Sequence, residues 1–251
     1  MSQRTVVLDT GKIEKIIALG EFDRDIEIQA ESTLLVLDCQ RYRIKNVKSI
    51  IFDIHKGICL SNYETRKLVN RFVEKSAVTF AFTRVFMQYR ELTGALPYVY
   101  GEVLMIPLSG ATQHSTNWFF LNNVSSHIFS SEGDKIILNC EKVFNVAVKI
   151  IVETKRSFCK HVIEIAHSLY EFQHQLSMKI VADHYPESPQ AAAFYAIDGH
   201  HMISDEFLNF IDFYHRQFIK DLLRSQGFTN PSEQLINEVY TDVTRRLNRL
   251  T

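Results

Sequence analysis

The feature that most constrains the fold is a change of hydrophobic period near residue 156. Before it, short runs rich in β-branched and aromatic residues read as strands: "STLLVLD", "SIIFDI", "AVTFAF", "EVLMIPL", "NWFFLN", "KIILN" and "KVFNVAVKIIVE". In the last run Phe144, Val146, Val148, Ile150 and Val152 share one parity. They therefore share one face of a strand, because side chains alternate. Turn signals separate the runs, including "LTGALP" at 92–97 and "SEGDK" at 131–135. After residue 156, Phe158, Val162, Ile165, Leu169, Phe172 and Leu176 recur at steps of three and four and form one stripe of a helix. A second helix is predicted over 204–226, with Phe207, Ile211, Tyr214, Phe218 and Leu222 on its apolar face and Gly227 as its left-handed C′ residue. In the third, Asn230 caps, Pro231 takes the first helical position and Glu233 is the capping-box acid. Leu235, Val239, Val243, Leu247 and Leu250 line its apolar side. The expected class is α+β: a mixed, mainly antiparallel β N-terminal part with a short capped helix, then an all-helical C-terminal part. The expected domains are 1–156 and 157–251.

A 46% apolar, 12% aromatic chain of 251 residues has material for a sizeable core, which argues against extensive disorder. No run of 18 apolar residues exists, and "MSQRTVVLDTGK" lacks the apolar stretch of a signal peptide. The expectation is a soluble, cytoplasmic protein with no membrane partner. Cys39, Cys59, Cys140 and Cys159 lie far apart with no C-x-x-C, which predicts buried, reduced thiols.

The net charge of −1 conceals an uneven distribution. Between residues 41 and 75, Arg41, Arg43, Lys45, Lys48, Lys56, Arg66, Lys67, Arg71 and Lys75 face only Asp53, Glu64 and Glu74, a local excess of six positive charges. Within this region "SNYETRK", 61–67, gathers Ser61, Asn62 and Tyr63 ahead of Arg66 and Lys67. Ser61 and Glu64 have capping-box spacing, so a helix is expected over 62–75. Arg66 with Asn70, and Lys67 with Arg71, are i,i+4 pairs on its polar side. Free amides at a helix N-terminus beside these cations suit phosphate. A capped amphipathic helix with a charged face is also the commonest surface helix, and that reading stays open. A second polar stretch, "IPLSGATQHSTNW" at 106–118, offers Thr112, Gln113, His114 and Asn117 as donors and acceptors of the kind that meet sugar and base edges. Its alternative is a solvated hairpin loop anchored by Trp118 in the core.

Together the two stretches resemble the ComK-type competence transcription factor family. "GICLSNYETRK" is similar to that family's Ser-x-Tyr-x-x-Arg-Lys segment at Ser61, Tyr63, Arg66 and Lys67, and "VLMIPLSGATQHSTNWFFLNNV" to its strand, proline, polar loop and tryptophan at Pro107, Thr112 and Trp118. The resemblance spans roughly residues 30–155. Thr116 stands where the family commonly has cysteine, Gln113 where a basic residue is expected, and the segment from Arg66 to Pro107 is longer. The helical C-terminal part has no counterpart, and the family's aromatic degron is not evident, so adaptor-driven proteolysis is not carried over. The resemblance implies a nucleoid-associated activator that binds paired A/T-rich boxes in double-stranded DNA. By the same resemblance it turns on DNA-uptake and recombination genes, as a homo-oligomer, with RNA polymerase or a regulatory adaptor as further partners. A-tracts have a narrow, strongly negative minor groove that attracts Arg and Lys, so no dedicated recognition helix is required. The helical part then has assembly as its alternative to an ordinary core role.

Catalysis is not expected. The chain has no H-E-x-x-H, P-loop, G-x-G-x-x-G or G-x-S-x-G, and neither a metal nor a cofactor is implied. His167 and His174 share a helix face without a carboxylate partner, and "GHH" at 199–201 is a weak metal candidate. The strongest rival is a regulatory or protein-interaction module on the same fold that binds no DNA.

Overall fold

A computed structural model describes residues 5–110, 115–143, 146–185, 189 and 202–247. The class is α+β: two mixed, mostly antiparallel sheets lie within residues 5–153, and long helices follow.

The larger sheet has seven strands: β2 (Glu21–Phe22), β3 (Thr33–Asp38), β4 (Ser49–Asp53), β5 (Gly57–Ser61), β6 (Tyr98–Tyr100), β7 (Val103–Pro107) and β8 (Trp118–Phe120). Their order is β2-β5-β4-β3-β8-β7-β6. Only the β2–β5 pair is parallel. The central strands are apolar on both faces: Leu34, Leu35, Val36 and Leu37 are all buried, as are Ile50, Ile51 and Phe52. This explains their unbroken hydrophobic runs. The smaller sheet, order β1-β11-β10-β9, contains β1 (Thr5–Asp9), β9 (Ser126–Phe129), β10 (Lys135–Val143) and β11 (Val146–Glu153), with β1 parallel to β11. Val148, Ile150 and Val152 form its buried face, as their parity predicts. The predicted single strand "KVFNVAVKIIVE" is instead the closing end of one hairpin. Val143 pairs with Val146, and Phe144 lies outside the described residues. β1 and the short helix α1 (Ile13–Ile17) lie outside the runs that the sequence pattern marks.

One predicted strand is a helix. "AVTFAF" leads into α3 (Phe80–Tyr89), and its alternation of Val78, Phe80 and Phe82 is too short to discriminate between periods. The chain beyond supplies Val85 and Phe86, both buried, at helical steps. The helix before it, α2 (Thr65–Glu74), lays Leu68, Val69 and Val73 on one face of the seven-stranded sheet, against Val36, Ile51, Cys59, Met105, Trp118 and Phe120. Phe72 meets Tyr98 and Phe120 edge-on at 6.1 and 6.0 Å, and Phe80 meets Trp118 at 5.8 Å. Trp118, 5% exposed, is therefore a core residue.

The C-terminal part holds α4 (Arg156–His184), α5 (Met202–Ser225) and α6 (Glu233–Leu247). The chain clusters into two compact units, one of residues 1–83 with 93–171 and one of 84–92 with 172–251. The change of period at 156 thus falls fifteen residues before this division, because the first turns of α4 belong with the sheets. Leu169 and Phe172 are buried within the chain, so the predicted stripe of α4 is core there. On α5 the stripe is rotated from expectation. Phe210, fully buried, is the centre, packed 4.9 Å from Phe172 and 5.5 Å from Tyr89, whereas Phe218 and Leu222 are exposed. Gly227 (φ +98°) ends α5 as predicted. Phe228 N–H donates to Leu223 O and Gly227 N–H to Arg224 O, the paired bonds of a Schellman cap. On α6 the cap is Ser232, whose Oγ accepts from Leu235 N–H at 3.2 Å, in place of Asn230. Its buried residue is Ile236, with Val243 exposed. All four cysteines are free and buried. Among the described residues no helix is long and apolar enough to cross a membrane, and no cluster of three or more His, Cys, Asp or Glu could hold a metal. The "GHH" at 199–201 lies outside the described residues.

Candidate nucleic-acid interface

Both polar stretches singled out in the sequence emerge at the same end of the seven-stranded sheet. Asp38 ends β3 opposite Ser49, which begins β4, and Ser49 in turn pairs with Ser61 at the end of β5. Val36 and Pro107 both pair with Trp118 at the start of β8. Moving from β5 to β8 crosses three strand spacings, about 14 Å. "SNYETRK" and the loop before Trp118 thus leave neighbouring parts of one edge, separated by the turn 39–48.

The local structure of "SNYETRK" differs from a capping box. Ser61 is fully buried, and its Oγ accepts from Tyr63 N–H at 3.1 Å rather than from Glu64. Glu64 is itself the N-cap residue of α2, with no side-chain cap bond. Its carboxylate pairs with Lys48 at 3.3 Å. The cause is the sheet. Lys48 N–H donates to Ser61 O and Ser49 Oγ to Tyr63 O at 2.7 Å, so strand bonding holds Ser61 away from the helix entrance. The helix consequently starts at Thr65, not 62.

The polar side of α2 is as expected. Arg66, Lys67 and Asn70 are exposed, and Arg71 is half-buried. They line a shallow, open depression bordered by Glu64 and Glu74. From Arg66 to Arg71 the helix rises about 7.5 Å. Among the described residues Arg66, Lys67 and Arg71 make no ion pair. Tyr63 organises two of them: Lys67 Nζ lies 4.6 Å and Arg71 Cζ 4.3 Å from its ring centroid. Those distances suit cation–π attraction. Asn62 is exposed beside this group.

The local charge excess is smaller in three dimensions than along the chain. Arg41 pairs with Glu153 at 3.2 Å, Lys56 with Asp23 at 3.3 Å and Lys75 with Glu27 at 2.6 Å, all acids outside 41–75. The hydrogen bond from Lys75 and its charge, with those of Arg71 and Lys56, hold the Glu27 carboxyl below its ordinary range. Burial raises Asp38, and the neighbouring Glu64 adds to the effect. What remains is a discrete group on α2, joined by Arg43 and Lys45, both exposed and without an ion pair among the described residues. The sequence contained these two cations in its charge excess but gave no pattern to single them out.

The second stretch is described only in part. Thr112, Gln113 and His114 lie outside the described residues. Asn117 uses its side-chain oxygen to accept Asp38 N–H at 2.7 Å, and Ser115 Oγ accepts from Gln40 Nε2 at 2.9 Å. Thr116 is buried against Ser109. The described part of this loop is therefore bonded inward. No protein-family model, no curated protein and no solved structure matches the chain.

Proposed function

We propose that the protein is a DNA-binding regulator that grips the backbone of A/T-rich duplex DNA through the exposed side of α2. The observation that carries this reading is the strip of Arg66, Lys67, Asn70 and Arg71, free of ion pairs among the described residues, in a region whose other cations are mostly neutralised. Guanidinium and ammonium groups on a rigid helix suit phosphate contacts, which position a protein without reading sequence. The resemblance to competence activators supplies the rest of the proposal: preference for A/T-rich boxes, activation of DNA-uptake genes, self-association and no catalysis.

The second reading is a protein-interaction module, favoured by Leu208, Phe218, Leu222 and Phe228, all about half exposed or more on the helical unit. A titration of labelled A/T-rich duplex against rising salt separates the two. Binding through several phosphates weakens steeply with salt. The variant Arg66→Ala/Lys67→Ala is expected to lose affinity and about two phosphates' worth of salt dependence with its melting temperature unchanged. Unchanged affinity would remove α2 from the interface, and no duplex binding by the unaltered protein at 50 mM salt would leave the interaction module.

A further inference from the structure

We infer that the turn 39–48 is a second backbone-gripping arm, in which Arg43 and Lys45 contact phosphates beside those held by α2. This extends the DNA-binding reading and rests on it.

The turn is firmly footed. Cys39 N–H donates to Lys48 O at 2.9 Å and closes it, and Cys39 and Val47 are buried at its two feet. A short 3₁₀ turn over Gln40–Tyr42 shapes its first half, with Tyr42 N–H donating to Cys39 O and Arg43 N–H to Gln40 O. Tyr42 Oη donates to Thr10 O at 3.3 Å. Arg43 (φ 52°) and Asn46 (φ 64°) are left-handed without being glycine. Asparagine tolerates that conformation, but arginine seldom adopts it. The backbone thus holds the exposed tip, Arg43 to Asn46, in a shape that residue preference alone would not choose.

The four cations of the turn divide cleanly. Arg41 and Lys48, near the feet, are bound to Glu153 and Glu64. Arg43 and Lys45, at the tip, make no ion pair among the described residues. The second foot abuts the entrance of α2, through Lys48 N–H to Ser61 O at 2.8 Å and the Lys48–Glu64 pair at 3.3 Å. Two unpaired cationic groups therefore flank one internally neutral pair. The depression on α2 is lined without Arg43 or Lys45, so a small anion seated there would engage only part of them. A double helix carries about one charge per 1.7 Å of axis and supplies phosphates to both groups.

The experiment measures duplex binding by fluorescence anisotropy between 50 and 200 mM salt. It uses the full chain, Arg43→Gln/Lys45→Gln, Arg66→Ala/Lys67→Ala and the fourfold variant, each checked by thermal melting. Each lost phosphate contact lowers the salt slope by about 0.9, so the turn variant should lose about 1.8. The ratio of affinities at 50 and 200 mM then shrinks about tenfold, and the fourfold variant loses the sum of both. A turn variant with the unaltered protein's slope, beside an α2 variant whose slope falls, overturns the second arm and leaves the DNA reading standing. No duplex binding by the unaltered chain overturns both. Poly-glutamate competing as well as duplex at equal charge also overturns the assignment, in favour of an acidic protein partner.

Discussion

If α2 grips DNA as proposed, replacing Tyr63 by leucine should weaken that binding without removing a single charge. The phenol ring sits 4.6 Å from Lys67 Nζ and 4.3 Å from Arg71 Cζ. At such partly exposed sites each contact is worth about 0.5–1 kcal/mol, or about 1–2 kcal/mol for the pair. Free lysine and arginine side chains each lose up to about 2 kcal/mol of rotamer freedom when fixed. A ring that already restrains them meets part of that cost before DNA arrives. Tyr63→Leu should therefore raise the dissociation constant by about fivefold or somewhat more. Tyr63→Phe should stay within about twofold, because the face of the ring survives and the Tyr63 hydroxyl makes no hydrogen bond among the described residues. The ring also packs against the core beneath α2. Leucine keeps much of that apolar contact, at a cost of about 1.5 kcal/mol or less. Anisotropy titrations at several salt concentrations, paired with thermal melts, provide the assay. The salt slope should not change, since the number of cations is constant. Equal losses in the Leu and Phe variants, or a reduced slope in either, would refute the positioning role.

Two further outcomes are expected. Glu64→Gln removes the carboxylate that occupies Lys48 and borders Arg66, so duplex affinity should rise and the salt slope steepen by about 0.9; a fall in affinity would show that Glu64 is needed to hold the entrance of α2. Burial pushes the thiols of Cys39, Cys140 and Cys159 up to about 12 and raises Cys59 as well, so a disulfide reagent at pH 8 should label none of them until the protein is denatured, and rapid labelling of the native protein would contradict their burial.

What the sequence made legible was what local chemistry decides. The strand runs at 32–38 and 49–54, the parity of Val148, Ile150 and Val152, the Gly227 cap and the polar side of α2 all follow from patterns within a few residues. What it hid is set by tertiary bonding. Ser61 and Glu64 have the spacing of a capping box, yet β4 claims the backbone around Ser61 and Lys48 claims the Glu64 carboxylate. The spacing sets the stripe on α5 along Phe218 and Leu222, but the aromatic cluster of Phe86, Tyr89 and Phe172 selects Phe210 instead. A helix rich in aromatics on several sides offers more than one stripe, and only the partner decides which is buried. For the candidate site, the cations of α2 were readable from i,i+4 spacing, whereas Arg43 and Lys45 were not, because irregular turns have no period.

On the proposed DNA-binding reading, the distribution of ion pairs accounts for how a nearly neutral chain could hold a polyanion. Four of the nine cations between residues 41 and 75 are paired with acids, three of which, Asp23, Glu27 and Glu153, lie outside that segment. These pairs are mostly exposed and add little to stability, because solvent screens them. Their consequence is spatial: they neutralise Arg41, Lys48, Lys56 and Lys75 and leave positive charge on α2 and the tip of the turn. A uniformly basic surface would attract every polyanion over its whole extent. On the proposed reading, two short groups, unpaired among the described residues, would restrict close contact to one end of the sheet. An increase in net charge at the foot of the turn rather than its tip, by neutralising Glu153 and freeing Arg41, should therefore strengthen long-range attraction to DNA without improving the fit at α2. A gain in affinity that vanishes by 200 mM salt would bear this out, and one that persists would place Arg41 in the contact itself.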